Sequence, residues 1–184
     1  MMRRVYSRVS VIASVIAAAV AMSACNPPAK PVELADLGFI VKDMHGTDVK
    51  LSDYRGRPLI VNFWFVNCPP CRKEVPAFVD LVKKYGDRGF TILGLSVQDT
   101  QEEMQAFAKE FNVNYPLFVA DGRDDIMGAY RATFAYPVSW FVKADGTVFL
   151  KHLGTGTPEW FETQVLALLD SSPEPSASAS VAPR

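Results

Sequence analysis

The sequence predicts an α/β fold: a mixed central sheet flanked by helices, with a β-hairpin extension at its N-terminal side. Three observations predict it. Residues 59–66 (LIVNFWFV) and 90–97 (FTILGLSV) are almost wholly apolar, as strands buried on both faces are. Each run is followed by a segment whose apolar residues recur every three and four positions, the period of an amphipathic helix. Turn signals at His45-Gly46-Thr47-Asp48 and Ala144-Asp145-Gly146-Thr147 mark an antiparallel pair near each end of this pattern.

Taken in order, Phe39-Ile40-Val41 and Val49-Lys50-Leu51 flank the first turn and form the hairpin. Arg55-Gly56-Arg57-Pro58 is the turn that feeds the first buried strand. A helix then places Val75, Phe78, Val79, Val82 and Tyr85 on one face. After the second buried strand, residues 101–111 form a helix with Met104, Phe107, Ala108 and Phe111 together. Leu117-Phe118-Val119 is a short strand and 124–130 a short helix. Residues 138–142 and 148–150 are the arms of the second hairpin, which adds an antiparallel edge. The closing helix, 158–169, starts on Pro158, where a missing N–H costs least. Trp64 and Trp140 fall in apolar strand positions and are assigned to the core. Parallel strands joined through helices take right-handed crossovers.

The chain has 184 residues, 49% hydrophobic and 21% charged, an ordinary globular composition. Lys and Arg number 19 against 20 Asp and Glu, so no basic surplus exists to bind a phosphate backbone, and no nucleic-acid partner is expected. There are only two histidines, His45 and His152, both read as solvated; no His-rich metal centre and no cofactor are expected. Arg3, Arg4 and Arg8 precede an apolar stretch at 9–22, shorter than the about 20 residues of a membrane span and suited to a secretory signal. Met22-Ser23-Ala24-Cys25 resembles a bacterial lipobox. That resemblance implies a lipoprotein signal peptide at 1–24, lipidation of Cys25 and a lipid anchor on a bacterial membrane; the other reading is an ordinary cleaved signal with a stray cysteine. A free thiol in an oxidising compartment is a liability that acylation removes. Residues 25–32, with Pro27, Pro28 and Pro31, read as a stiff tether, and 171–184 (SSPEPSASASVAPR) as a disordered tail. The folded domain is then 33–170.

Most of the chemistry falls on Cys68-Pro69-Pro70-Cys71. Cys68 follows the first buried strand and opens a helix. A helix N-terminus presents unpaired N–H groups and about half a positive charge, which favours thiolate over thiol. Lowering a thiol from about 8.5 to about 7 raises its thiolate fraction at neutral pH from a few per cent to about half. Cys71, one turn on, is placed to close a disulfide with Cys68. The two prolines occupy early helical positions and stiffen the loop. A permanent staple is the bland alternative, but a four-residue ring constrains the unfolded chain little. Zinc is another, but a structural site takes four ligands and there is no second CxxC. A CxxC between strand and helix is a redox signature.

Residues 62–76 (NFWFVNCPPCRKEVP) resemble the active-site run of the TlpA/ResA branch of thioredoxin-like thiol–disulfide oxidoreductases, and the resemblance extends over about 35–170. It implies a thioredoxin-like fold, with Cys68 attacking and Cys71 resolving. Glu74 stands where that branch has an acidic residue close to the cysteines, which can exchange protons as thiols form and leave; the alternative is a solvated helix residue beside Arg72 and Lys73. Pro76 matches a kinking proline. Tyr136-Pro137 matches a cis-proline segment that faces the cysteines and offers a backbone edge to a client peptide. Two departures stand out: Asn67 replaces the usual Trp, and Val138-Ser139-Trp140 replaces Thr-Thr or Thr-Phe, which makes the groove more apolar. Asp99 closes the second strand on the edge where α/β sheets place their sites; a helix cap is the favoured reading, approach to the active site the other.

The resulting expectation is an extracytoplasmic thiol–disulfide oxidoreductase that reduces client-protein disulfides, of the cytochrome c maturation or copper-centre assembly kind, and is re-reduced by a membrane electron donor. Two other functions compete. A redoxin-type peroxidase would carry Pro-x-x-x-Thr-x-x-Cys, and the residues before Cys68 supply neither the Pro nor the Thr. A Cu(I) metallochaperone would use both thiolates, but related carriers have CxxxC and a downstream His.

Overall fold

The computed structural model describes residues 32–171. The expected signal peptide, lipidation at Cys25, most of the tether and most of the tail lie outside the described residues.

Seven strands form one mixed sheet in the order β2-β1-β5-β4-β3-β6-β7. They are β1 (Ile40–Asp43), β2 (Asp48–Lys50), β3 (Leu59–Trp64), β4 (Thr91–Ser96), β5 (Leu117–Val119), β6 (Val138–Val142) and β7 (Val148–Leu153). The helices are α1 (Pro69–Tyr85), α2 (Gln101–Phe111), α3 (Asp124–Ala129) and α4 (Pro158–Asp170). Strands β3, β4 and β5 run parallel, β6 lies antiparallel to β3, and β7 antiparallel to β6. The N-terminal hairpin does not stand apart: β1 pairs antiparallel with β5 and extends the sheet.

Every residue of β3 is buried, as its apolar run requires of a strand covered on both faces. Successive side chains alternate between two cores. Ile60 and Trp64 face a cluster with Phe78, Leu81, Met104, Phe107, Phe161 and Leu168, contributed by α1, α2 and α4. Leu59, Val61 and Phe63 face a second cluster with Leu37, Ile126, Tyr130 and Trp140. Full burial of each such side chain contributes about 1.5–3 kcal/mol. Asn62 falls on the first face and is the single polar side chain of β3.

Strand β3 ends at Trp64, two residues earlier than the apolar run, because the Val66 N–H leaves the ladder for the Asp99 carboxylate, 2.7 Å away. The expectation that Asp99 caps the next helix is corrected here. Thr100 is the cap: its hydroxyl accepts from Glu103 N, and Glu103 returns a bond to Thr100 N, a capping box. His152 is also corrected. It is half-buried, its ring stacked on Trp160 at 4.2 Å between centroids, rather than solvated. His45 is exposed, and Trp64 and Trp140 are both core residues. Among the described residues no helix is long and apolar enough to cross a membrane.

Candidate active site

The parallel strand β3 delivers the chain to Cys68, and α1 begins at Pro69, so Cys68 is the helix N-cap. Pro69 and Pro70 occupy the first two helical positions, where no N–H is needed. Cys68 N donates to Phe65 O at 3.2 Å, which turns the chain into the helix. Cys68 and Cys71 are joined by a disulfide, with their Cα atoms 5.2 Å apart. Cys71 N donates to Cys68 Sγ at 3.3 Å, so the first N–H of the helix points at that sulfur. Helix α1 continues through Pro76 to Tyr85.

Two contacts brace the loop between β3 and α1. Asp99 Oδ2 accepts from Val66 N and from Ser96 Oγ at 2.6 Å, which ties the end of β4 to the chain two residues before Cys68. Arg72 reaches from the first turn of α1 to α2. Its guanidinium lies over Phe111 at 4.8 Å and Phe107 at 5.4 Å, pairs with Glu110, and donates to Val66 O at 3.4 Å. Neither brace is readable from local sequence, because each joins segments more than 30 positions apart.

The Tyr136–Pro137 bond is cis. Pro137 immediately precedes Val138, which pairs with Phe63 near the end of β3, so this loop lies at the same end of the sheet as Cys68. Tyr136 packs edge-on against Phe65 at 5.8 Å, and its hydroxyl donates to Ala132 O. Gly154 N donates to Pro137 O at 2.8 Å. In the preceding loop, Phe134 is 97% exposed.

Glu74 sits one turn after Cys71 on the buried side of α1 and is only 1% exposed, so the solvated alternative for it does not hold. Its Oε1 accepts from Asn62 Nδ2 at 3.0 Å, while Oε2 has no hydrogen-bond partner. Burial raises its pKa from 4.5 to about 8, against the opposing pull of the Asn62 bond. Tyr115 is buried nearby; burial first, then the Glu74 charge, push its phenol up, and it stays neutral. At pH 7 the carboxyl is therefore mostly protonated, one helical turn from Cys71. Asn62 Nδ2 also donates to Ser139 Oγ, and sequence reading missed both residues as part of this site. The available signal was one amide in the middle of LIVNFW, a polar residue where the strand is buried on both faces. Among the described residues, no group of three or more His, Cys, Asp or Glu side chains is arranged to hold a metal.

A model of the AhpC/TSA family matches residues 33–150. Thiol-disulfide oxidoreductase ResA of Bacillus cereus is 32% identical over 124 residues, covering 67% of this chain and 70% of that protein. ResA of Bacillus subtilis is 29% identical over 119 residues, 65% of each chain. Among solved structures, a thiol:disulfide interchange protein of the thioredoxin family from Chlorobium tepidum superposes with a TM-score of 0.69 at 26% identity, over 76% of this chain and 97% of the other. A secreted disulfide oxidoreductase of Mycobacterium tuberculosis gives 0.65 at 22% identity, over 72% and 97%, a likeness of fold. The sheet order, the flanking helices and these superpositions together make the fold thioredoxin-like.

Proposed function

Since the chain belongs to the AhpC/TSA family and is a thiol–disulfide oxidoreductase of the ResA type, we propose that it works outside the cytoplasm as a reductant of client-protein disulfides. The observation that carries this reading is the Cys68–Cys71 disulfide at the N-terminus of α1 with a buried, largely protonated Glu74 one turn behind it.

In the forward step the reduced Cys68 thiolate attacks one sulfur of the client disulfide. A mixed disulfide forms, and the other client sulfur leaves as a thiolate that takes a proton from solvent. Glu74 in its carboxylate form then accepts the Cys71 proton. The Cys71 thiolate attacks Cys68 Sγ, closes the internal disulfide and releases the second client thiolate. Client sulfur gains two electrons and the Cys68–Cys71 pair loses two. The neutral Glu74 beside the closed disulfide corresponds to the end of that sequence. Re-reduction by a membrane electron donor returns its proton to Cys71. The cis Pro137 backbone, flanked by Tyr136, Phe65 and the exposed Phe134, offers the client peptide an apolar seat. Clients of the cytochrome c maturation or copper-centre assembly type fit an extracytoplasmic reductant held near a membrane through lipid on Cys25.

The test is Cys71→Ser, which stops the resolving step. The variant is expected to accumulate client proteins linked through Cys68 in the cell envelope, while the reduced wild-type protein reduces a model disulfide such as insulin. No trapped client together with no insulin reduction sinks the reading. Incorporation of labelled palmitate that disappears in Cys25→Ala tests the anchor separately.

A further inference from the structure

The hydrogen bond that holds Glu74 depends on a second one. Asn62 Nδ2 carries two protons; one is donated to Glu74 Oε1 and the other to Ser139 Oγ, each at 3.0 Å. Asn62 and Ser139 are directly opposite one another on antiparallel β3 and β6, so the strand register itself brings the amide and the hydroxyl together. Both side chains are buried, Ser139 completely. We propose that Ser139 is a positioning residue that acts through Asn62 to set the orientation and proton affinity of the Glu74 carboxyl. The inference rests on the reading of Glu74 as the proton exchanger and adds to it a residue that touches neither sulfur nor client.

The amide group is planar, and its nitrogen must face both oxygens at once. While Ser139 holds one N–H, the amide cannot turn without breaking that bond, and the second N–H stays aimed at Oε1. A neutral carboxyl that accepts through Oε1 carries its proton on Oε2, the oxygen with no fixed partner. The proton to be exchanged is thus kept on the free side of the group. Replacing Ser139 by Ala leaves one buried amide N–H without an acceptor, which frees the amide to turn. The carboxylate form of Glu74 then loses its hydrogen-bond donor. Hydrogen bonding to the charged form lowers an acid's pKa, so its loss raises the value.

Other ionisable groups around this pair are few. Tyr115 faces Glu74 and stays neutral, and the closed disulfide carries no charge. On α1 itself, Arg72 is paired with Glu110 and Lys73 is exposed. His152 lies opposite Ser139 on β7, on the same row across the sheet, with its ring against Trp160.

The experiment follows the Glu74 side-chain carboxyl by 13C NMR in the full-length, oxidised protein, with the resonance assigned by its absence in Glu74→Gln. Ser139→Ala is expected to raise the midpoint by about one pH unit, the scale of one hydrogen bond to a charged group. Ser139→Thr, which keeps the hydroxyl, is expected to restore it. In parallel, the pH profile of disulfide reduction is expected to move to higher pH in Ser139→Ala and to be unaffected by that change in a Glu74→Gln background. An unmoved Glu74 midpoint in folded Ser139→Ala overturns the proposal. So does an equal displacement in Ser139→Thr, or a displacement that vanishes in a His152→Gln background and so belongs to the imidazole. The carboxyl titration decides the role of Ser139 whatever the enzyme assay gives; a pH profile unchanged by Glu74→Gln alone ends only the proton-exchange reading.

Discussion

Glu74 shows how far one side chain's environment can depart from its sequence context. Its neighbours Arg72, Lys73 and Pro76 are all at least partly exposed, yet it is turned into the interior against Asn62. Nothing in RKEVP separates an inward glutamate from an outward one; only the resemblance to a family motif pointed inward. The consequence for stability has a definite sign. The unfolded carboxyl titrates near 4.5 and the folded one near 8. Between those values the folded chain binds more protons than the unfolded chain, so stability falls as pH rises through this window and levels off above it. Below 4.5 both forms are protonated and the penalty is absent. A difference of this size has a ceiling of about 5 kcal/mol. Glu74→Gln keeps the shape without the ionisation. Denaturant unfolding of the oxidised protein at pH 5, 7 and 9 is expected to show a declining stability in the wild type and a flatter profile in the variant. Parallel declines would mean that the carboxyl is not the group responsible.

At the level of elements, periodicity placed the strands and helices because the forces behind it are local and repeated. The span 101–111 was readable to the residue, since Met104 and Phe107 are the buried face of α2 and Asn112, at φ 52°, ends it. What periodicity could not supply was the partner of Asp99. A carboxylate just before a helix looks like a cap, and the Thr-x-x-Glu box that does the capping starts one residue later. The two positions therefore differ in what their loss does. Thr100→Ala removes a cap at the exposed start of α2 and is expected to cost about 1 kcal/mol. It leaves disulfide exchange unchanged. Asp99→Ala leaves the Val66 N–H and the Ser96 hydroxyl without their acceptor, a loss of about 1–3 kcal/mol for each group so stranded. Because Val66 lies two residues before Cys68, this variant is also expected to slow reduction of a model disulfide. Thermal melts and exchange rates on the same two proteins separate a cap from a brace; equal losses in both readouts would contradict that assignment.

On the scale of the molecule, the two apolar runs required a sheet covered on both faces, and the two cores on either side of β3 are that requirement met. The joining of the N-terminal hairpin to β5 was not readable, because β1 and β5 pair across more than 70 positions of chain. The direction of electron flow is also a property of the whole fold, through a closed cycle. The difference in folding stability between the oxidised and reduced protein equals the difference in disulfide strength between the folded and unfolded chain. A four-residue ring contributes little by restricting the unfolded chain, so whichever redox state the fold prefers governs the difference. An oxidant stabilises its reduced form, and about 30 mV corresponds to about 1.4 kcal/mol. A reductant, the role proposed for this chain, has the opposite preference: its fold favours the closed pair, and it gains stability by handing electrons on. The oxidised protein is therefore expected to unfold at a higher denaturant concentration than the protein held reduced with excess dithiol, at equal pH. Thiols release protons on oxidation, so this difference depends on pH, and the comparison is made at pH 7, where the Glu74 carboxyl of the oxidised protein is mostly neutral. A reduced form that proves the more stable would reverse the proposed direction and make the pair a donor of disulfides rather than of electrons.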